Sequence, residues 1–255
     1  MPTTEELKEK FLLGQTILID KPLTWTSFDV VNKVRWLVKN EINVKKIKVG
    51  HAGTLDPLAT GLLIVCTGKF TKRIDEFQAQ EKEYTGIITL GATTACYDLE
   101  KAIDIEYPTE HITEAMIKEM AASFIGEQEQ TAPIHSAKKI DGKRAYEYAR
   151  EGEEVKIKSN IIHIKAFDVE ICEAPFYEVQ EEEKPKINRE QPYQKGINVK
   201  FRIVCTKGTY IRAIARDFGE KLNSGGHLSQ LRRTRIGEFK IEDAIKMEEI
   251  NTLFQ

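Results

Sequence analysis

Five consecutive apolar residues, Leu62 to Cys66, follow a loop, Val49 to Gly61, that contains three glycines and one carboxylate, Asp56. An apolar run this short cannot cross a bilayer and reads as a strand buried on both faces, so the loop emerges at the end of a sheet. Reactive side chains are commonly displayed on such loops, where a rigid scaffold positions them. Gly50, Gly53 and Gly61 let the backbone approach another molecule closely. Pro57 biases Asp56 toward an extended conformation, so the carboxylate is held, as a nucleophile should be. The Asp-Pro pair equally suits the cap of a helical turn beginning at Pro57, and the residues alone leave both readings open.

Elsewhere the pattern alternates between strand and helix. Thr16 to Asp20 is a short buried strand closed by Lys21-Pro22; Ser27 then caps a helix whose apolar stripe is Phe28, Val31, Val34 and Val38. Tyr84 to Gly91 alternates, with Tyr84, Gly86, Ile88 and Leu90 on one face and Thr85, Ile87 and Thr89 on the other. A second helix starts at Thr113, runs through Met116, Ile117, Met120 and Phe124, and ends by Gly126. Val199 to Thr206 reads as a strand, Gly208 as its turn, and Thr209 as the cap of a helix that turns Ile211, Ile214, Ala215 and Phe218 inward. Arg212 then lies in the first turn, where the positive helix end and a guanidinium together seat a carboxylate or phosphate. Without a strict βαβ rhythm, this predicts an α+β fold rather than a doubly wound one. Gln180 to Lys195, rich in Glu, Lys, Pro, Gln and Asn, reads as an exposed loop between two strands.

Composition narrows the function classes. With 41% hydrophobic and 31% charged residues in 255, the chain is an ordinary globular protein of one large domain or two small ones. Cys66, Cys96, Cys172 and Cys205 form no Cys-x-x-Cys pair and read as core residues of a reducing compartment. No leader or membrane-length apolar run is recognisable, so the expected location is cytoplasmic, with no membrane partner. A net charge of −2 argues against indiscriminate nucleic-acid coating. Basic residues nevertheless gather in three places: Lys33 to Lys48, Lys138 to Arg150, and Lys207 to Arg216 with Arg232 to Arg235. Clusters flanking one proposed site favour phosphate binding. A Walker loop is excluded, because Leu63 stands where its first glycine belongs and Phe70 where Ser or Thr is required. His51, His111, His135, His163 and His227 show no ligand spacing, so neither a metal nor another cofactor is expected.

Residues Gly50-His51-Ala52-Gly53-Thr54-Leu55-Asp56-Pro57-Leu58-Ala59-Thr60-Gly61 resemble the second motif of the TruB family of tRNA pseudouridine synthases, matching every fixed position. Lys21-Pro22 with Thr26-Ser27 resembles its first motif, which in the family braces the active-site loop, and Lys207 to Arg212 with Asp217 to Gly219 its third. Gln130 to Arg150 resembles the family's RNA-gripping insertion, although Ala132-Pro133 and His135 stand where the family has Pro-Pro and an aromatic. The resemblance implies a pseudouridine synthase fold: a mixed, mostly antiparallel sheet flanked by helices and loops, with an RNA-binding catalytic cleft. It implies one catalytic domain over 1–255, without a separate carboxy-terminal RNA-binding domain.

In that family the residue matching Asp56 is the catalytic carboxylate, Tyr84 matches the active-site tyrosine, and Arg212 matches an arginine that pairs with the carboxylate and keeps it ionised. The residues implied to meet RNA are His51, which fills the space of a flipped-out uridine, with Lys21, Lys138, Lys143, Arg144, Arg150, Tyr210, Leu231 and Arg232. The implied substrate is the T-stem-loop of tRNA, at the uridine of tRNA position 55, taken by a monomer with no obligate protein partner. Two rival readings are a guide-RNA-dependent synthase, which relies on an appended domain and partners, and an RNA-folding helper that flips loops without chemistry.

Overall fold

The structure is a computed structural model of the 255-residue chain. It describes residues 2–136, 139–140, 142–145, 148, 157–173, 189–191 and 193–255, with backbone alone at 139–140 and 143–144. The chain divides into two compact units, one built on Met1–Tyr84 and Arg232–Gln255, the other on Thr85–Glu183 and Asn188–Leu231. In chain order the first holds α1 (Thr4–Leu13), β1 (Thr16–Lys21), α2 (Ser27–Glu41), β2 (Val49–Ala52), β3 (Ala59–Thr67) and α3 (Ile74–Ala79). Strand β4 (Lys82–Leu90) carries the chain into the second unit. There follow β5 (Ala92–Thr94), β6 (Ile103–Glu106), α4 (Glu114–Ser123), β7 (Gly126–Gln130), β8 (Lys139–Ile140), β9 (Lys143–Arg144), β10 (Asn160–Cys172), β11 (Ile197–Cys205) and α5 (Ile211–Lys221). Strand β12 (Gly226–Ile236) carries the chain back to β13 (Phe239–Lys240) and β14 (Ile245–Lys246). No helix among the described residues is long and apolar enough to cross a membrane.

In the first unit the strand order is β14-β1-β3-β12. β1 runs antiparallel to β3 from Thr16↔Cys66 to Lys21↔Gly61, β2 pairs antiparallel with β3 at His51↔Val65, and β14 joins β1 in parallel. Leu62 to Cys66 are each 0% exposed, as the apolar run predicts. The period of two explains the unbroken run. Leu63 and Val65 pack with Phe11, Val30, Val34 and Val38 on one face, and Leu62, Ile64 and Cys66 with Ala52, Phe77 and Ile236 on the other. Each buried Leu, Ile, Val or Phe among them stabilises the unit by about 1.5–3 kcal/mol.

Gly61 is required where β3 begins. Its φ is +103°, and an added Cβ would lie 2.3 Å from the Arg233 carbonyl oxygen and 2.7 Å from its amide nitrogen. Gly61→Ala is therefore expected to cost about 3 kcal/mol or more in denaturant unfolding; an unshifted midpoint would mean that the two backbones part easily.

The second unit orders its strands β12-β4-β11-β10-β7. β10 is antiparallel to β11 and to β7. The Phe167 ring of β10 packs edge-on against Phe124 and Phe201 at 5.9 and 6.2 Å and tilted against Phe218 at 5.6 Å, which ties the end of α4, β11 and α5 into one core.

Several local expectations shift. Thr26, not Ser27, caps α2, in a capping box with Asp29. The buried stripe of α2 is Val30, Val31, Val34 and Val38, while Phe28, about 100° from its centre, is 60% exposed. α5 starts after Tyr210 with no side-chain cap, because the Thr209 hydroxyl donates to the Thr206 carbonyl instead. Its inward face is as expected, with Ile211, Ile214, Ala215 and Phe218 buried. β4 alternates only at first; from Gly86 onward both faces are buried, and Thr89 is satisfied there by Asn198 at 2.8 Å and by the Ser229 hydroxyl. A strand covered on both faces has no solvent face for Thr89, so its hydroxyl bonds side chains of the neighbouring β11 and β12. Most of the loop expected at 180–195 lies outside the described residues; β10 and β11 on either side of it are antiparallel neighbours.

Candidate active site

The Asp56 loop joins β2 to β3 and makes one turn, closed by the Ala59 amide donating to the Asp56 carbonyl at 3.0 Å. No helix begins at Pro57, so Asp56 does not cap one. Buried side chains from three other elements pin the loop through its backbone. The Arg233 guanidinium, 1% exposed on β12, donates to the Gly53 carbonyl at 3.1 Å and the Leu62 carbonyl at 2.8 Å. The Ser27 hydroxyl, at the start of α2, accepts from the Leu55 amide at 2.8 Å and donates to the Leu55 carbonyl at 3.1 Å. The Lys21 ammonium, at the end of β1, donates to the Pro57 carbonyl at 3.3 Å, the Pro22 carbonyl at 2.9 Å and the Trp25 carbonyl. Asp56 itself remains half-buried between these anchors.

This placement corrects one expectation: Lys21 is 0% exposed and braces the loop from inside, rather than meeting RNA phosphates. Burial pushes its ammonium down to about 7, while the charge of Asp56 pushes it back up and that of Arg233 down. A lysine in the unfolded chain stays protonated to about pH 10.4, so between about 7 and 10 the folded protein binds fewer protons than the unfolded one. The cost of burying the charge is thus complete below about pH 7 and relieved as pH rises through that window. Relative to Lys21→Met, wild type is expected to gain stability from pH 7 to pH 9.5, by up to about 1.4 kcal/mol per pH unit; parallel denaturation midpoints would refute the buried titration. His51, on β2, has its basicity lowered by burial and by Arg233, and its Nδ1 is buried without a hydrogen-bond partner.

In the second unit Arg212 occupies the first turn of α5, as its sequence position predicts, and is 6% exposed. Its guanidinium donates at 2.9 Å to the carbonyls of Cys96 and His135, and its Nε lies 3.5 Å from the carboxylate of Asp98, itself 5% exposed. Asp98 was not recognisable as a site residue. It also accepts the Glu100 amide at 3.0 Å and the Cys96 thiol at 2.9 Å, and its negative charge helps burial push that thiol up to about 12. Gln130 clamps the backbone of Tyr210, donating to its carbonyl at 3.1 Å and accepting its amide at 2.8 Å.

Of the remaining sequence candidates, Tyr84 lies on β4 at 9% exposure and Leu231 on β12 at 8%. Arg232 forms an ion pair with Asp20 at 2.6 Å and stays 39% exposed. Lys143 and Arg144 form β9, turned back on β8 through Gly142 at φ +88°. Lys138 and Arg150 lie outside the described residues. Among the described residues, no group of three or more His, Cys, Asp and Glu is disposed to hold a metal ion.

A pinned sheet-end loop that holds one half-buried carboxylate among buried cations is an arrangement suited to chemistry through that carboxylate. Residues 39–211 match the family model described as TruB family pseudouridylate synthase, N terminal domain, and residues 212–255 that of the tRNA pseudouridylate synthase B C-terminal domain. A tRNA pseudouridine synthase B of Phocaeicola vulgatus is 51% identical over 93% of this chain and 92% of its own. One of Parabacteroides distasonis is 50% identical over 96% and 95%, and one of Flavobacterium johnsoniae 49% over 97% of each. Among solved structures, a chain in the crystal structure of a Cbf5-Nop10-Gar1 complex is 26% identical with a TM-score of 0.63, over 97% of this chain. Only 56% of that longer chain is covered. The chain belongs to the TruB family of pseudouridylate synthases, and its mixed, mostly antiparallel sheet with flanking helices is the pseudouridine synthase fold.

Proposed function

We propose that this protein isomerises the uridine at position 55 in the T-loop of tRNA to pseudouridine, with Asp56 as the essential carboxylate acting on a flipped-out nucleotide. The reading rests on the pinned Asp56 loop, found in a chain that spans 92% or more of three relatives named tRNA pseudouridine synthase B. The reaction breaks the bond from C1′ to N1, turns the uracil, rejoins C1′ to C5, and removes the C5 proton while N1 takes one up, so that product and substrate have the same composition. It consumes no cofactor and changes no oxidation state. An ionised carboxylate serves it as a nucleophile toward ribose or base, or as the base that takes a sugar proton. Either role needs the uridine out of its stack, and unpaired loops yield their bases most readily.

The motif match supports an ionic partnership of Arg212 with Asp56, stacking of Tyr84 on the uracil, and His51 filling the vacated space. It supports Lys138, Lys143, Arg144, Arg150, Tyr210, Leu231 and Arg232 as contacts to the T-arm, by a cytoplasmic monomer with no obligate partner protein. The test is direct. Purified protein with unmodified tRNA transcript should yield pseudouridine at position 55, read by chemical labelling, and none when that uridine is replaced by cytidine. Binding without product would favour the folding-helper reading; product only with an added guide RNA would favour the guided one.

A further inference from the structure

Two large aromatic side chains stand out from the first unit on one helix: Phe28 is 60% exposed and Trp36 58%. Trp36 lies opposite the valine stripe of α2, and Phe28 flanks the stripe about 80° round the helix from Trp36. Each has a cation against its ring, the Arg35 guanidinium 5.9 Å from the Phe28 centroid and the Lys33 ammonium 5.3 Å from that of Trp36. Arg35 is held in place, donating to Asn32 at 2.7 Å and to the Val49 carbonyl at 3.1 Å. Lys45, Lys46 and Lys48, all exposed, follow in the segment between α2 and β2. Asp29, next to Phe28 in the chain, is engaged in the capping box.

The geometry points to this face of α2 as a second RNA surface, on which unpaired bases stack against Phe28 and Trp36 while their phosphates meet Lys33, Arg35 and the lysines beyond the helix. The chemistry selects that occupant. An apolar protein groove closing over the rings would have to strip water from Lys33 and Arg35 without offering them a counter-charge. A nucleotide strand supplies a flat apolar face and an anion at every step, the combination that single-stranded nucleic-acid sites use. The rings are separated by about 12 Å along the helix, room for two bases rather than one. The surface also begins beside the catalytic loop, because Ser27, next to Phe28, is the residue that grips Leu55.

This inference rests on the RNA reading and extends it. The experiment compares wild type with the Phe28→Ala/Trp36→Ala and Phe28→Tyr/Trp36→Tyr variants on full tRNA transcript, measuring kcat, KM, affinity and thermal unfolding. The alanine pair should raise KM and Kd by about tenfold or more with kcat and unfolding temperature unchanged, and the tyrosine pair should restore wild-type binding. Lys45→Gln/Lys46→Gln should flatten the salt dependence of binding by about one to two counter-ions. Wild-type KM and Kd in the alanine pair overturn the proposal, as does a tyrosine pair as weak as the alanine pair. So does a concentration-dependent wild-type dimer that the alanine pair abolishes, which would make the face a protein interface. If wild type itself neither binds nor modifies tRNA, it is the functional reading that fails.

Discussion

Asp56→Asn is expected to lower the rate of pseudouridine formation by about 10³-fold or more, with thermal unfolding within a few degrees of wild type. The two outcomes separate because buried side chains from three other elements pin the loop through its backbone. Arg233 holds the Gly53 carbonyl, Ser27 the Leu55 amide and carbonyl, and Lys21 the Pro57 carbonyl, while Asp56 contributes its backbone carbonyl to the turn. An isosteric amide leaves all of this in place and removes only the negative charge. One further effect follows from that charge. Asp56 is the largest of the influences that keep the Lys21 ammonium from falling below about 7, so in the variant Lys21 gives up its proton at lower pH, and the stability gained on raising pH begins earlier. Loss of activity together with a large loss of stability would instead make Asp56 a structural residue.

The parts of the fold that the sequence discloses are those whose local pattern and final environment agree. Leu62 to Cys66 are unbrokenly apolar because β3 is covered on both faces, and α5 shows its inward residues because one face meets the core. The glycine spacing around Asp56 is equally legible, since Gly61 is needed by its own φ and by the approach of Arg233. The braces are not. Arg233 sits in a basic stretch that reads as a phosphate contact, and its true partner at Leu62 is 171 residues away in the chain. Read bare, Lys21 and Ser27 look like a strand end and a cap; the family resemblance implies that their segment braces the Asp56 loop, and the folded register of β1 and α2 shows the contacts that do so. Phe28 fits a helical apolar stripe by spacing, yet it lies beyond the edge of the face that packs. Long-range adjacency, not propensity, decides each of these.

Arg212→Met is expected to destabilise the protein by about 3–5 kcal/mol, because it removes the cationic partner of a carboxylate, Asp98, that is 5% exposed. The carbonyls of Cys96 and His135 each lose a charged donor at the same time, a further penalty wherever water does not replace it. Neutralising Asp98 should recover part of the loss, so Asp98→Asn in the Arg212→Met background is expected to be more stable than Arg212→Met alone, with a coupling of about 1 kcal/mol or more in a double-mutant cycle. Pseudouridine formation provides the second axis. If Arg212 also partners Asp56, as the motif match implies, the double variant regains stability and remains inactive, because no residue has replaced the guanidinium beside the catalytic carboxylate. Recovery of both would confine Arg212 to holding the Cys96–Asp98 turn and the His135 backbone in place, and would leave Asp56 to work without it.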